Sequence, residues 1–206
     1  TADRGESFLS DEHARAVSGT SSLGLDVDGN FTALWVDAHI DTGAYLSRRS
    51  KGLLNNMGGV AGQYKTPNIA TQMSFFFTNT MQTSPYRGFG RPEATYVIER
   101  LIDQAARETG RDPLALRQQN LIPAEAMPYQ TALTFNYDSG NFPKIVATAA
   151  KNADYAGFAK RRKKSEACGL LRGIGIANPI EVAGGPLKQL RKDVARVTVR
   201  PDGQIV

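Results

Sequence analysis

The sequence has a single cysteine, Cys168, and only two histidines, His13 and His39. One thiol can form neither an internal disulfide framework nor a site built from several cysteines. The two histidines stand alone in the sequence, so we expect both to be structural and expect no metal held by side chains. No window approaches the roughly 18 apolar residues of a membrane helix, and the polar first residues do not form a signal peptide. We therefore expect a cytoplasmic protein without a membrane span.

Basic charge is present in excess. The chain carries 25 Lys and Arg against 20 Asp and Glu, which gives a net charge of +5 and a pI of about 9.4. The densest basic run is KRRKK at residues 160–164, inside a predicted helix. Such runs usually form a solvated helix face, and no aromatic-interleaved strand accompanies this one. We predict a solvated face and no nucleic-acid partner, with a basic nucleic-acid-binding domain as an alternative.

The pattern of apolar residues predicts an α+β fold, with a mixed or antiparallel sheet and several packed helices. Residues 23–27 alternate, an Asp-Gly turn follows, and residues 31–40 return as a mostly apolar strand that we expect to be buried on both faces. One apolar stripe predicts a helix over residues 92–109, with a proline at its start and a glycine after its end. The stretch 51–80 has little periodicity and receives no assignment. The other predicted elements are helices at 113–120, 143–151 and 153–167, and strands at 172–178 and 193–199.

Both ends of the sequence favour a fragment. There is no initiator methionine, and the Asp202-Gly203 turn signal is followed by only three residues. We expect residues 1–206 to form a single fragment of a larger domain, truncated at both ends.

The stretch PYRGFGRPE at residues 85–93 has the composition of a ligand loop. Gly88 permits positive φ and a close approach of the backbone to a ligand, and Arg87 offers a planar fork of donors. The loop leads directly into a helix N-terminus, which favours an anion, while Tyr86 and Phe89 offer flat apolar surface. A tight turn with surface arginines is the alternative interpretation. The third glycine of a dinucleotide fingerprint is absent, because Glu93 occupies that position.

This loop, with the helix that follows it, resembles the molybdenum-domain signature of the xanthine dehydrogenase, aldehyde oxidase and aerobic carbon monoxide dehydrogenase superfamily. The resemblance covers nearly the whole chain in the family's order. Besides residues 86–101, it includes GAY at 43–45, YKTPN at 64–68, DP at 112–113, LRQQNLI at 116–122 and RGIGIA at 172–177.

The resemblance implies a molybdopterin cofactor, whose dithiolene sulfurs hold the molybdenum, so the chain needs no metal-ligating side chains. It implies that Arg87 and Gly88 bind the cofactor and that Phe89 and Tyr86 bind the substrate. Iron–sulfur clusters and FAD are expected on partner domains or subunits of an oligomeric enzyme. The family's catalytic glutamate is not in this sequence, so we assign no catalytic residue and expect the fragment alone to be inactive.

The resemblance also bears on the substrate. Carbon monoxide-oxidising members carry a cysteine where this chain has Gly88, and purine-oxidising members carry an arginine that residues 53–57 lack. An aldehyde or an N-heterocycle is therefore the expected substrate, although the overall sequence is similar to large chains named for carbon monoxide dehydrogenase. A non-catalytic binding module of the same fold is the rival hypothesis. The carboxylates Glu99, Asp103 and Glu108 are expected to form a solvated helix face.

Overall fold

The computed structural model of the protein describes residues 1–14, 16–47, 52–181 and 194–205. Short 3-10 helices lie at Gly58–Ala61 and Ala124–Ala126. The regular elements, in chain order, are α1 (Arg4–Ser10), β1 (Val17–Leu25), β2 (Phe31–Asp41), α2 (Gly52–Met57), β3 (Asn68–Phe76), α3 (Arg91–Thr109), α4 (Pro113–Asn120), β4 (Tyr129–Gln130), β5 (Asn136–Tyr137), α5 (Phe142–Asn152) and α6 (Phe158–Glu166).

The main sheet has three strands in the order β1-β2-β3. β1 and β2 form the predicted antiparallel hairpin, while β3, which the sequence left unassigned, pairs with β2 in parallel. At the hairpin turn the Asp26 carboxylate accepts the N–H of Asn30 at 2.8 Å, and Gly29 adopts φ +94°. The chain therefore has the predicted α+β fold, and its sheet is mixed.

The core lies between one face of this sheet and α3. On β2 the side chains of Leu34, Val36, Ala38 and Ile40 are buried, and they share a hydrophobic cluster with the apolar stripe of α3. Trp35, on the opposite face, is 42% exposed. The prediction that β2 is buried on both faces is wrong for the described residues, because helices cover only one face of the sheet there.

The predicted helices after the loop are confirmed within a few residues. α3 ends at Thr109, and Gly110 after it has φ +69°, the left-handed conformation expected after a helix. α4 begins after Asp112, which accepts the N–H of Ala115 at 2.8 Å. The helix predicted at 153–167 is shorter, since α6 begins only at Phe158.

The two strands predicted near the end of the chain are not formed as expected. Residues 172–178 adopt no regular strand; side chains from elsewhere bind their polar groups instead. Residue 193 lies outside the described residues, and 194–198 form no strand. Val199 makes an isolated bridge to Ile205 around the predicted Asp202-Gly203 turn.

Candidate functional site

The loop before α3 has an unusual backbone. Gly88 and Gly90 have φ of +94° and +93°, and Phe89 between them has φ +22°, which is rare for a residue with a side chain. The conformation is fixed from two sides. Asn56 of α2 donates to the carbonyl of Phe89 at 2.6 Å, and the Glu93 carboxylate accepts the N–H of Gly90 at 2.8 Å. Strain held in place by its surroundings is common at ligand sites.

Both glycines are required by their surroundings. A Cβ on Gly90 would lie 2.9 Å from the Cβ of Asn56 and 3.0 Å from the carbonyl oxygen of Leu53. A Cβ on Gly88 would lie 2.9 Å from the ring of Pro92. The loop thus packs directly on α2 and on the first turn of α3, and this packing fixes where Arg87 leaves the backbone.

Arg87 and Gly88 line a cavity of about 580 Å³ beside the N-terminal half of α3. This volume is within the range of small-molecule sites. Two further arginines, Arg91 and Arg100, and three carboxylates contribute charge to it. The other lining residues are Pro92, Thr95, Tyr96, Glu99 and Asp103 of α3, and Ile176, Ala177, Pro179, Ile180 and Glu181 on the opposite wall.

The two predicted substrate residues lie elsewhere. Tyr86 is 65% exposed to solvent. The Phe89 ring packs partly buried against the core, close to α2, where a Cβ on Gly52 would lie 3.3 Å from it. Arg87 and Gly88 therefore both line the cavity, whereas Tyr86 and Phe89 are not among its lining residues.

The wall opposite α3, residues 176–181, is irregular chain held by side chains of other segments. Arg117 donates to the Ile176 carbonyl at 3.2 Å, and Gln63 donates to the Pro179 carbonyl at 2.9 Å. At its end, Glu181 forms an ion pair with Arg91 at 2.6 Å. The cavity therefore has two walls, α3 and residues 176–181, and Arg117 and the Arg91–Glu181 ion pair join them.

A buried ionic network lies beneath the cavity. Glu99 accepts the Tyr64 hydroxyl at 2.6 Å through one oxygen and Arg117 Nε at 2.8 Å through the other. Arg117 also binds Asp103 at 2.8 Å, and Asn178 donates to the Tyr64 hydroxyl at 3.0 Å. Arg117 is fully buried and Glu99 is 5% exposed. Each segment that contributes to the network belongs to a stretch that carries the family resemblance or adjoins one.

The network shifts the protonation of two of its members. Burial, and then the negative charge of Glu99, raises the pKa of Tyr64 above its usual range, so the phenol stays neutral. Burial alone would lower the pKa of Arg117, but the charge of Glu99, the charge of Tyr64 and the hydrogen bonds to Glu99 and Asp103 together outweigh it, so the pKa is raised. The cluster is thus a neutral phenol bound to a paired carboxylate and guanidinium.

The network corrects one prediction from the sequence. Glu99 is buried and Asp103 is ion-paired with Arg117, so neither belongs to a freely solvated face, whereas Glu108 is exposed and accepts a hydrogen bond from Gln104. The sequence held a partial signal for the buried arginine: Arg117 stands four residues after Pro113 and three after Leu114, so on a helix it lies on the same side as these apolar residues.

The histidines lie apart from the cavity. His39 stacks edge-on with Phe76 at 5.5 Å between ring centroids, and His13 Nε2 lies 3.3 Å from the sulfur of Met81. Within the described residues, no three His, Cys, Asp or Glu side chains are arranged to hold a metal ion. No helix among those residues is long and apolar enough to cross a membrane.

An arginine-bearing loop of this geometry, opening a helix beside a cavity, is typical of a small-molecule-binding domain. Residues 1–121 match the family described as the molybdopterin cofactor-binding domain, and the chain belongs to that family.

The chain is similar over its whole length to parts of longer proteins. It is 30% identical to the gamma subunit of the 6-hydroxypseudooxynicotine dehydrogenase complex of Paenarthrobacter nicotinovorans, over 100% of the chain and 27% of that protein. It is 30% identical to the carbon monoxide dehydrogenase large chain of Afipia carboxidovorans, over 99% of the chain and 27% of that protein. The chain thus spans about a quarter of the length of these relatives.

Solved structures share the fold. Quinoline 2-oxidoreductase from Pseudomonas putida 86 superposes with a TM-score of 0.75 at 28% identity, covering 82% of this chain and 22% of that one. A Cu,Mo-containing CO dehydrogenase superposes with a TM-score of 0.75 at 29% identity, covering 81% of this chain and 22% of that one. These likenesses confirm the family and the fold class predicted from the sequence.

Proposed function

We propose that the chain is part of the cofactor-binding subunit of a molybdenum hydroxylase that oxidises an aldehyde or an N-heterocycle with water as the oxygen source. We propose further that residues 1–206 are a piece of a larger molybdopterin-binding domain. The observation that carries the proposal is the placement of Arg87 and Gly88, the two predicted cofactor residues, together on one cavity.

The residues of the cavity fit an anionic or polar planar group. Arg87 is exposed and leaves the backbone beside the N-terminus of α3, where the helix macrodipole favours negative charge. Arg91 Nε is buried and has no hydrogen-bond acceptor among the described residues, although its Nη1 pairs with Glu181. A guanidinium fork binds oxygen or nitrogen edges through two parallel hydrogen bonds, which is a suitable clamp for a pterin or a phosphate.

In this proposal the protein supplies position and electrostatics. Bound molybdopterin would supply the redox chemistry that withdraws electrons from a substrate carbon. Arg87 would hold the cofactor through its fork, and Gly88 would let the backbone approach it. Phe89 and Tyr86 remain the proposed substrate-binding residues. No catalytic residue is proposed within the chain, so the fragment alone is expected to be inactive.

The names of the relatives favour an N-heterocycle over carbon monoxide. Pseudooxynicotine, nicotine and quinoline enzymes stand among them. Two carbon monoxide dehydrogenases also match, but this chain has Gly88 where the family's copper-binding cysteine is expected. We also propose that the enzyme is oligomeric and cytoplasmic, and that its iron–sulfur clusters and flavin lie on partner subunits or domains.

The test is the molybdenum content of the full-length protein purified with its partners, measured by elemental analysis. Loss of two charge-assisted hydrogen bonds at Arg87 should weaken cofactor binding by about tenfold or more. Arg87→Ala should therefore lower molybdenum occupancy, and Arg87→Lys should restore it only in part, because an ammonium cannot reproduce the fork.

The matched control is Arg107→Ala, which removes an exposed arginine from the last turn of α3, the helix that follows the loop. It should leave occupancy unchanged. Equal occupancy in Arg87→Ala and Arg107→Ala would refute the assignment of Arg87. Wild-type protein that is folded but free of molybdenum would instead favour the non-catalytic module.

A further inference from the structure

The positive charge of the chain is concentrated in one segment. Residues 151–172 contain seven Lys and Arg side chains and two carboxylates, for a net charge of +5, which equals the net charge of all 206 residues. The remainder of the chain is therefore neutral overall. α6 lies at the centre of this segment.

The basic residues of α6 divide into two groups. Arg161 pairs with Asp154, and Arg162 pairs with Glu166 at 3.0 Å. Lys160, Lys163 and Lys164 are exposed, and no carboxylate of the described residues forms an ion pair with them. Their i, i+3, i+4 spacing places the three ammonium groups on one face of the helix. We call these three residues the lysine stripe.

The lysine stripe is not needed to hold α6 in place. Other residues do this: Arg161 donates to the Ala153 carbonyl at 3.0 Å, and Arg172 donates to the hydroxyl of Ser165, which is buried, at 2.9 Å. Like charges at i and i+4 slightly destabilise an isolated helix. Within the described residues the stripe therefore makes no ion pair that holds the fold, and its three charges are available for a ligand.

The chemistry of the stripe favours an acidic protein surface. Ammonium groups are compact and strongly hydrated, so they steer association over a distance. Unpaired lysines are rarely buried inside a chain. A helix of nine residues is about 13 Å long, the size of a local contact. Single-stranded nucleic acid would require aromatic stacking partners, and Phe158, the only aromatic residue of α6, is half-buried under the Arg161 guanidinium.

We propose that the lysine stripe is the docking surface for an acidic face of a partner subunit. This inference rests on the proposed function, since it requires that the chain work in a multi-subunit enzyme, as the relatives named as complex subunits do. The contact is electrostatic and sensitive to salt, and it lies outside the cofactor cavity.

The experiment uses the full-length protein in complex with its co-purified partner subunits. The stripe variant replaces Lys160, Lys163 and Lys164 together by Gln. A matched control replaces three other exposed basic residues, Lys65, Arg107 and Lys144, by Gln, so that both variants lose the same charge. Dissociation of the complex is followed by size-exclusion chromatography between 0.05 and 0.5 M NaCl, about the range over which screening sets in. Molybdenum content is measured in parallel.

The stripe variant should bind its partners about tenfold more weakly at the lowest salt, and the difference should shrink as salt rises, while the control and the molybdenum content stay at wild-type levels. Equal dissociation of both variants would overturn the proposal. The proposal would also be overturned if the stripe variant assembled normally but lost binding to a labelled DNA duplex. A lower melting temperature of the isolated full-length stripe variant would overturn it too, because it would indicate that the subunit's own chain covers the stripe. Loss of molybdenum from wild-type protein would refute the proposed function instead.

Discussion

Arg117 makes five hydrogen bonds although its side chain has no exposure to solvent. They bind it to the side chains of Glu99 and Asp103 and to three backbone carbonyls. A buried pair of this kind contributes little over an apolar pair of the same size, but removal of one partner leaves a buried charge without compensation. At the scale of single residues, this cluster is therefore where one substitution should cost the most.

Replacement of Arg117 by Met fills a similar volume and leaves Glu99 without its cation, so the free energy of unfolding should fall by about 3–5 kcal/mol. Arg117→Lys should lose less, since it keeps the charge but not the fork. The measurement is urea denaturation of the full-length protein. Gln118→Ala, on the exposed side of the same helix, should be nearly neutral. A Met variant as stable as this control would show that the network does not stabilise the domain.

The sequence located the loop residues but not the network, and the reason is physical. Positive φ and a clamp geometry require particular residue types, so Gly88 and Arg87 are visible in a single sequence. A carboxylate such as Glu99 is usually exposed, and only its partners in three dimensions make burial possible. Those partners lie on α4, at Tyr64 and on the irregular wall, far apart in sequence.

At the scale of elements, α4 joins the hairpin to the helical layer. Asn120, fully buried at its last position, accepts the N–H of Phe31 at 2.8 Å and donates to the carbonyls of Gly29 at 3.0 Å and Leu116 at 2.9 Å. One amide therefore fixes the start of β2, the hairpin turn and the end of the helix.

Asn120→Ala should leave these three backbone groups without their partner and cost about 1–3 kcal/mol for each that stays unsatisfied. The amide of Phe31 should then exchange its hydrogen faster in the full-length protein, as measured by mass spectrometry. Asn120→Asp keeps an acceptor for Phe31 and should protect that amide better than Ala does. Unchanged exchange in the Ala variant would contradict the junction role.

Element prediction succeeded where local signals and tertiary packing agree. α3 and α4 have a proline near the start, and α3 also has a left-handed glycine after its end; their bounds follow from the sequence. β3 was missed because a parallel strand needs a partner distant in the chain, and no turn signal joins it to β2. Residues 172–178 alternate glycine and isoleucine as a strand would. In the structure, however, Arg117 binds the Ile176 carbonyl and the Asn178 side chain binds the Tyr64 hydroxyl, so these polar groups pair with side chains and not with a neighbouring strand.

At the scale of the whole molecule, the family segments that are separated in sequence converge on one place. Tyr64, Glu99, Arg117 and Asn178 meet beside the cavity, and Arg87 and Gly88 of the loop line it. The network therefore supports both walls of the candidate site. Loss of stability in the network should reach the cavity because α3 and residues 176–181 are joined through Arg117.

Two buried phenols make the stability of the whole molecule sensitive to alkaline pH. Burial and the charge of Glu99 raise the pKa of Tyr64, and burial with a smaller effect of Tyr129 raises the pKa of Tyr137. The usual tyrosine pKa is about 10. Above that pH the unfolded chain loses these protons while the folded chain keeps them, so the stabilisation present below pH 10 is lost as pH rises toward the folded-state values.

The free energy of unfolding should therefore fall with pH above about 10, by up to about 1.4 kcal/mol per pH unit for each phenol. Urea titrations of the full-length protein at several pH values from 8 to 11 measure this slope. Tyr64→Phe removes one titrating group, so its slope above pH 10 should be shallower than that of the wild type, whatever its stability at pH 8. Tyr137→Phe should behave likewise, and the double variant should be shallower than either single one. Parallel curves for wild type and Tyr64→Phe would mean that Tyr64 ionises in the folded protein as readily as in the unfolded chain, and the closed network around Glu99 would then be refuted.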